Sequence, residues 1–177
     1  MEMIKTYRQS LPEVKLIGKK YGDADRVDGM FSYHWGQWFE NGWFQVIEEA
    51  AGGKESLASL YEDGNAPLGF MRHKDGAPFE YWIGMFVPPD TRTPEGFDEL
   101  ALGAIDVGIC WYQGPESELY CKEHLALERL QAEGMEAAYD EQGYIRFFER
   151  YSDDRFMNQN ENGHIILDIG FVVKPAN

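Results

Sequence analysis

One carboxylate stands out in this chain. In YIRFFERY (144–151), strand alternation puts Ile145, Phe147, Glu149 and Tyr151 on one face, and Tyr144, Arg146, Phe148 and Arg150 on the other. Glu149 therefore shares a face with apolar residues while the neighbouring arginines point away. A carboxylate on such a face is paired with a basic group from elsewhere, protonated, or functional. Two aromatic pairs raise a second question. Trp111-Tyr112 and Tyr81-Trp82 each lie within an apolar run, and alternation sends the members of each pair to opposite faces. Aromatic walls suit flat or cationic ligands, at about 0.5–2 kcal/mol per cation–π contact. Tyr33, Trp35 and Trp38 open an aromatic helix and are candidates to roof such a site. Trp43 reads as ordinary helix packing.

The elements that must carry these residues follow from the pattern. PEVKLIGKKYG (12–22) reads as a first strand bounded by Pro12 and Gly22. SYHWGQWFENGWFQVIEEAAGG (32–53) has Trp35, Trp38, Phe39, Trp43, Val46, Ile47 and Ala50 at helical spacing, with Ser32 as N-cap and Gly52-Gly53 as stop. The Asn41-Gly42 step is a weak point in that helix. APLGFMRH (66–73) and FEYWIGMFV (79–87) read as strands. PPDTRTPEGF (88–97) is a Pro-rich connector that divides the chain nearly in half. ELALGAIDVGICWYQ (99–113) is a strand, and Pro115 begins a helix that Gly134 ends. GYIRFFERY (143–151) and HIILDIGFVVK (164–174) are the last strands.

Each half therefore reads strand, helix, strand, strand. The expected fold class is α+β: duplicated strand-helix-strand-strand modules around a pseudo-twofold axis with a central ligand cleft. The chain reads as a single domain, 1–177, with halves at about 12–87 and 97–175. Along 99–113, Ile105, Val107, Ile109 and Trp111 form the face expected to pack against a helix. Ala104, Asp106, Gly108, Cys110 and Tyr112 form a small, polar face that something must approach closely.

Composition narrows the function. The chain of 177 residues carries a formal net charge of −15, with 44% hydrophobic and 15% aromatic residues. No Lys/Arg cluster offers a footprint for nucleic acid or an anionic membrane surface. No apolar run reaches the roughly 18–20 residues a membrane span needs. The start, MEMIKTYRQSLPEV, has no apolar core of a secretory signal, and Cys110 and Cys121 are the only cysteines, so a reduced cytoplasmic setting is expected. Cys121 and His124 have no second pair at ligand spacing, so no metal site is expected. No phosphate-binding glycine loop supports a nucleotide, so no cofactor is expected. No Gly-x-Ser-x-Gly elbow supports a serine hydrolase.

The second half resembles the GyrI-like effector-binding domain. PEGFDELALGAIDVGICWYQGPESELY carries a Pro94, Gly96, Phe97 lead, then a strand with Ala104 and Gly108, Trp111 near its end, and Gly114-Pro115 before a helix. FFERY (147–151) and LDIGFVVKP (167–175) resemble the family's Glu-bearing strand and its closing strand. Phe171-Val172-Val173 departs from the Pro-Val usual there. The resemblance is specific from about Phe79 to Lys174.

It implies a stand-alone effector-binding domain that binds hydrophobic, cationic or flat aromatic small molecules, a multidrug-type aromatic pocket. Glu149 falls at the family's pocket glutamate, as counter-charge to a cation or as a base that positions water. Trp111, Tyr112, Tyr81, Trp82, Tyr33, Trp35, Trp38 and Tyr151 are the aromatic candidates. The alternative is a metal-independent hydrolase of strained, cyclopropane-type electrophiles, with Glu149 steering water and Tyr112, or else Tyr81 or Tyr151, as proton donor. A third reading is a protein-inhibiting interaction module. The implied partner is a hydrophobic small molecule, with no direct nucleic-acid or membrane contact.

Overall fold

The computed structural model describes residues 1–176. Six antiparallel strands close into a barrel: β1 (Glu2–Tyr21), β2 (Leu68–His73), β3 (Glu80–Val87), β4 (Asp98–Gly114), β5 (Ile145–Arg150) and β6 (Ile165–Val173). Their order around the barrel is β1-β3-β2-β5-β6-β4. Helices α1 (Ser32–Asn41), α2 (Trp43–Ala50) and α3 (Lys54–Leu60) follow β1, and α4 (Glu123–Ala132) follows β4.

The duplication expected from the sequence is visible in the pairing. In the first half β3 joins β1 to β2; in the second, β6 joins β4 to β5. In the sheet the halves pair through like elements, β1 with β4 and β2 with β5. By this equivalence Trp111 and Tyr112 on β4 correspond to positions on β1, not to Tyr81 and Trp82 on β3, so the two aromatic pairs are not symmetry mates.

The strand interiors fill the barrel. Leu11, Val14, Leu16, Leu68, Phe70, Trp82, Phe86, Ile105, Val107, Ile109, Phe148 and Val172 form one buried cluster drawn from all six strands. This reverses the expected faces of β4. Its large residues point into the barrel. Its small residues face α4, and a Cβ at Gly108 would lie 2.9 Å from a Leu130 methyl. The close approach read from Gly108 is that of a helix, not of a ligand.

Three boundaries differ for local reasons. β1 begins at Glu2, ten residues before Pro12. Pro12 falls where the β1–β4 register shifts between Leu11 and Val14, and an irregularity tolerates the missing N–H. The long helix expected over 32–51 breaks at Gly42, whose φ of 66° is left-handed. The break turns the buried stripe to Trp38, Phe44 and Ile47 and leaves Phe39 and Val46 exposed. After Pro115 the chain makes only a 3-10 turn (Glu116–Glu118), passes Cys121 at φ 62°, and then enters α4.

No helix among the described residues is long and apolar enough to cross a membrane.

Candidate functional site

The β2–β5 pair seals the two halves, and its outer face is the floor of a cavity of about 640 Å³. Met71 rises from β2 and Phe147 and Glu149 from β5, followed by Tyr151 just beyond the strand. The first half adds Phe31, Trp35 and Phe39 around α1, with Phe79 and Tyr81. The second adds Glu116, Tyr120, Cys121 and Glu123 before and at the start of α4, and Phe156 and Met157 from the β5–β6 loop. The volume is within the usual range of small-molecule sites, and the lining is an aromatic box with few polar groups.

Glu149 sits at its base, 8% exposed. Its carboxylate accepts a hydrogen bond from the Tyr151 hydroxyl. Among the described residues no basic side chain forms an ion pair with it. Burial raises its pKa to about 8; the Tyr151 hydrogen bond opposes this, and the nearby Glu123 carboxylate adds to it. Burial, then the charge of Glu149, pushes the Tyr151 and Tyr81 hydroxyls up as well. The wall beside Glu149 is tightly built. The Trp35 indole N–H donates to the Tyr81 hydroxyl at 2.9 Å, and Trp35 meets Tyr151 edge-on with centroids 4.8 Å apart. Phe31 stacks on Tyr81 at 4.1 Å.

Charge in the cavity is one-sided. Glu116, Glu123 and Glu149 line it, against Arg26 alone. Arg26 is already committed: it pairs with Asp23 at 2.9 Å and lies over the Phe31 ring at 4.5 Å.

Of the residues singled out in the sequence, Glu149, Tyr81, Trp35 and Tyr151 meet in this cavity. Five do not line it. Trp82 points into the barrel, because alternation sends it opposite to Tyr81. Trp111 lies on the barrel's inner side, its ring edge-on to Tyr7 at 5.9 Å. Trp38 is fully buried under α1, donating to the Tyr21 hydroxyl at 3.0 Å. Tyr33 is exposed on α1. Tyr112 packs beneath α4 with Leu119, Ala126 and Leu130, and its buried hydroxyl has no partner among the described residues. The catalytic role considered for Tyr112 therefore has no place at the cavity; Tyr151 is the tyrosine that touches Glu149.

Sequence reasoning missed Phe31, Phe147, Phe156 and Glu123. Phe147 had a signal, since it shares a strand face with Glu149. Glu123 had none, because the helix after Pro115 starts late and its face could not be read from spacing. Among the described residues no three His, Cys, Asp or Glu side chains gather as a metal set. Cys110 and Cys121 are both free.

The chain aligns over its length with several solved structures. One is SAV2435 bound to tetraphenylphosphonium, at 16% identity, covering 97% of this chain and 94% of that one, with a TM-score of 0.63. A second is a protein from Staphylococcus aureus MU50 assigned to transcription regulation, at 18% identity, covering 97% and 99%, with a TM-score of 0.61. The EcmrR C-terminal domain aligns at 11% identity over 99% and 100%, with a TM-score of 0.53. The chain shares the α+β fold of these structures, the GyrI-like fold. No family model and no curated protein sequence matches the chain. In this GyrI-like fold the cavity lies outside the filled barrel, over the β2–β5 seam, with both halves lining it.

Proposed function

We propose that the cavity binds a hydrophobic monocation, flat or aromatic, with the Glu149 carboxylate as its counter-charge. One observation carries this reading. Glu149 is buried in an aromatic box with a hydroxyl and a second carboxyl as neighbours and no basic partner among the described residues. A buried carboxylate without a counter-charge is costly, and a lipophilic cation supplies that charge while its apolar body covers the rings. Trp35, Tyr81, Phe31 and Tyr151 offer ring faces and edges to the cation. The tetraphenylphosphonium bound to SAV2435 is a ligand of the same chemistry in a chain of the same fold.

Fluorescence titration tests it, with Trp35 in the wall as reporter. Methyltriphenylphosphonium is compared with triphenylphosphine oxide, a neutral molecule with the same three rings. Saturable quenching by the cation, weak quenching by the oxide, and loss of that preference in Glu149→Gln are expected. Equal affinity for both compounds in the unmodified protein rejects the counter-charge role.

A second reading rests on the Tyr151–Glu149 hydrogen bond inside the cavity. Such a pair can hydrolyse a strained carbon ring. Glu149 accepts a proton from water as its oxygen bonds to a ring carbon. The ring bond breaks, its electron pair takes the Tyr151 proton, and Glu149 returns a proton to Tyr151. Mass spectrometry separates the readings: a binder returns its ligand unchanged, whereas an enzyme adds one water per turnover.

A further inference from the structure

The β5–β6 loop has two faces. Phe156 and Met157 line the cavity. Arg155, directly before them, turns the other way into the mouth of the barrel. Its Nε donates to Asp168 Oδ1 at 2.9 Å, and its Nη2 donates to Asp63 Oδ2 at 2.9 Å and also to Asp168. Its guanidinium lies 4.3 Å over the Trp111 ring. Asp168 is completely buried and also accepts from Arg150 Nε at 2.9 Å. Arg150 in turn reaches Gln9 and the Tyr7 hydroxyl of β1. Two guanidiniums and two carboxylates thus neutralise one another inside the fold.

This cluster joins the halves behind the cavity. Asp63 belongs to the α3–β2 turn of the first half, and Pro67 of the same connection lines the cavity and accepts from the Tyr151 backbone N–H at 3.0 Å. Arg155 and Asp168 belong to the second half. Phe156 stands edge-on to Tyr151, centroids 4.7 Å apart, and Tyr151 holds Glu149. Arg155 is therefore one residue from the cavity wall and is held through its Nε and Nη2. Surface pairs on this loop, such as Lys54–Asp153, are exposed and hold little.

We propose that Arg155 is the positioning residue of the cavity's outer wall: its clasp on Asp168 and Asp63 holds Phe156 and Met157 against the ligand and so sets the size of cation the site prefers. This rests on the cation-binding reading above. A bulky cation that reaches Phe156 and Met157 depends on the wall. A compact cation held at Glu149 does not. Loss of the clasp leaves Asp168 with Arg150 alone and Asp63 without its close partner, and the loop is released.

The experiment compares the unmodified chain with Arg155→Met, Arg155→Lys and Lys54→Met. Affinities for tetraphenylphosphonium and tetraethylammonium are measured by tryptophan fluorescence, and amide hydrogen exchange is followed over residues 152–157. Arg155→Met is expected to lose protection in that segment and to shift the affinity ratio about tenfold against the bulky cation, a change that a pair bridging two loops can carry. Arg155→Lys, which keeps the charge but not the fork, should fall between. Lys54→Met should leave both measurements unchanged. If Arg155→Met fails to fold, Arg155→Lys carries the comparison. Equal weakening of both cations, or unchanged exchange, overturns the proposal. If the unmodified chain binds neither cation, the cation-binding reading fails and, with it, the size preference. The exchange result then judges the clasp by itself, retained protection overturning it and lost protection supporting it.

Discussion

Gly69 on β2 is the cross-strand partner of Glu149 on β5. The residue opposite the buried carboxylate thus has no side chain. Tyr81 uses the space: a Cβ on Gly69 would lie 2.7 Å from its hydroxyl and 3.4 Å from Trp35 Cζ2. The bare backbone at 69 lets the hydrogen-bonded Trp35–Tyr81 pair lie down beside Glu149. Gly69→Ala should push both rings into the cavity. The expected result is a folded protein with cation affinity reduced about tenfold and a shifted tryptophan emission, at a stability cost of about 1–3 kcal/mol from overpacking. Thermal melting and fluorescence titration check both parts.

Tyr112 provides a contrast with Tyr151. Its hydroxyl is buried beneath α4 without a partner among the described residues, which is a standing cost in the folded state. Tyr112→Phe should leave ligand affinity unchanged and raise stability by about 1 kcal/mol, read as a small rise in Tm. A loss of affinity in this variant would return Tyr112 to the site.

Tyr151→Phe removes the hydroxyl that donates to Glu149 and keeps the ring that meets Trp35 and Phe156. That hydrogen bond is what opposes burial in setting the Glu149 pKa. Without it the carboxyl holds its proton to higher pH, and cation affinity at neutral pH should fall about tenfold, the scale of one hydrogen bond to a charged group. Comparing affinity at pH 7 and pH 10 checks the cause. A deficit that shrinks at high pH is a protonation effect; one that persists is lost packing.

How much of this was legible depended on the period of each element. In β5, alternation alone put Phe147, Glu149 and Tyr151 on one face, and the structure keeps them there. Alternation also separated Tyr81 from Trp82, but it does not say which face a helix covers. On β4 the faces were therefore assigned the wrong way round, and Tyr112 and Trp111 were drawn towards a site they do not line. The deciding fact was Gly108 beneath Leu130, a tertiary contact. Trp38 was misread for a related reason. Gly42 breaks the helix in a left-handed turn, and the apolar stripe of 32–51 splits into two short faces. Glu123 and the Arg155 clasp lie in or beside loops, where no periodicity places a side chain.

Glu149 also links ligand binding to pH. Its pKa rises in the fold from the usual 4.5 to about 8, so the folded state holds a proton that the unfolded chain releases between these values. This group's contribution to stability is therefore full below about pH 4.5 and is lost as pH rises through about 8. Cation binding runs the other way, because only the carboxylate offers a counter-charge. Glu123 and the Tyr151 and Tyr81 hydroxyls face the same group, and burial holds both tyrosines neutral well above this range. Affinity for a permanent cation should thus climb by up to about tenfold per pH unit and level off above about 8. Each cation bound below that point should release up to one proton. Calorimetry in two buffers of different ionisation enthalpy counts the proton directly. Glu149→Gln should flatten the affinity profile, abolish the release and remove the stability loss at high pH. A cation affinity that stays level from pH 6 to pH 9 in the unmodified protein would show that Glu149 does not exchange its proton for the ligand.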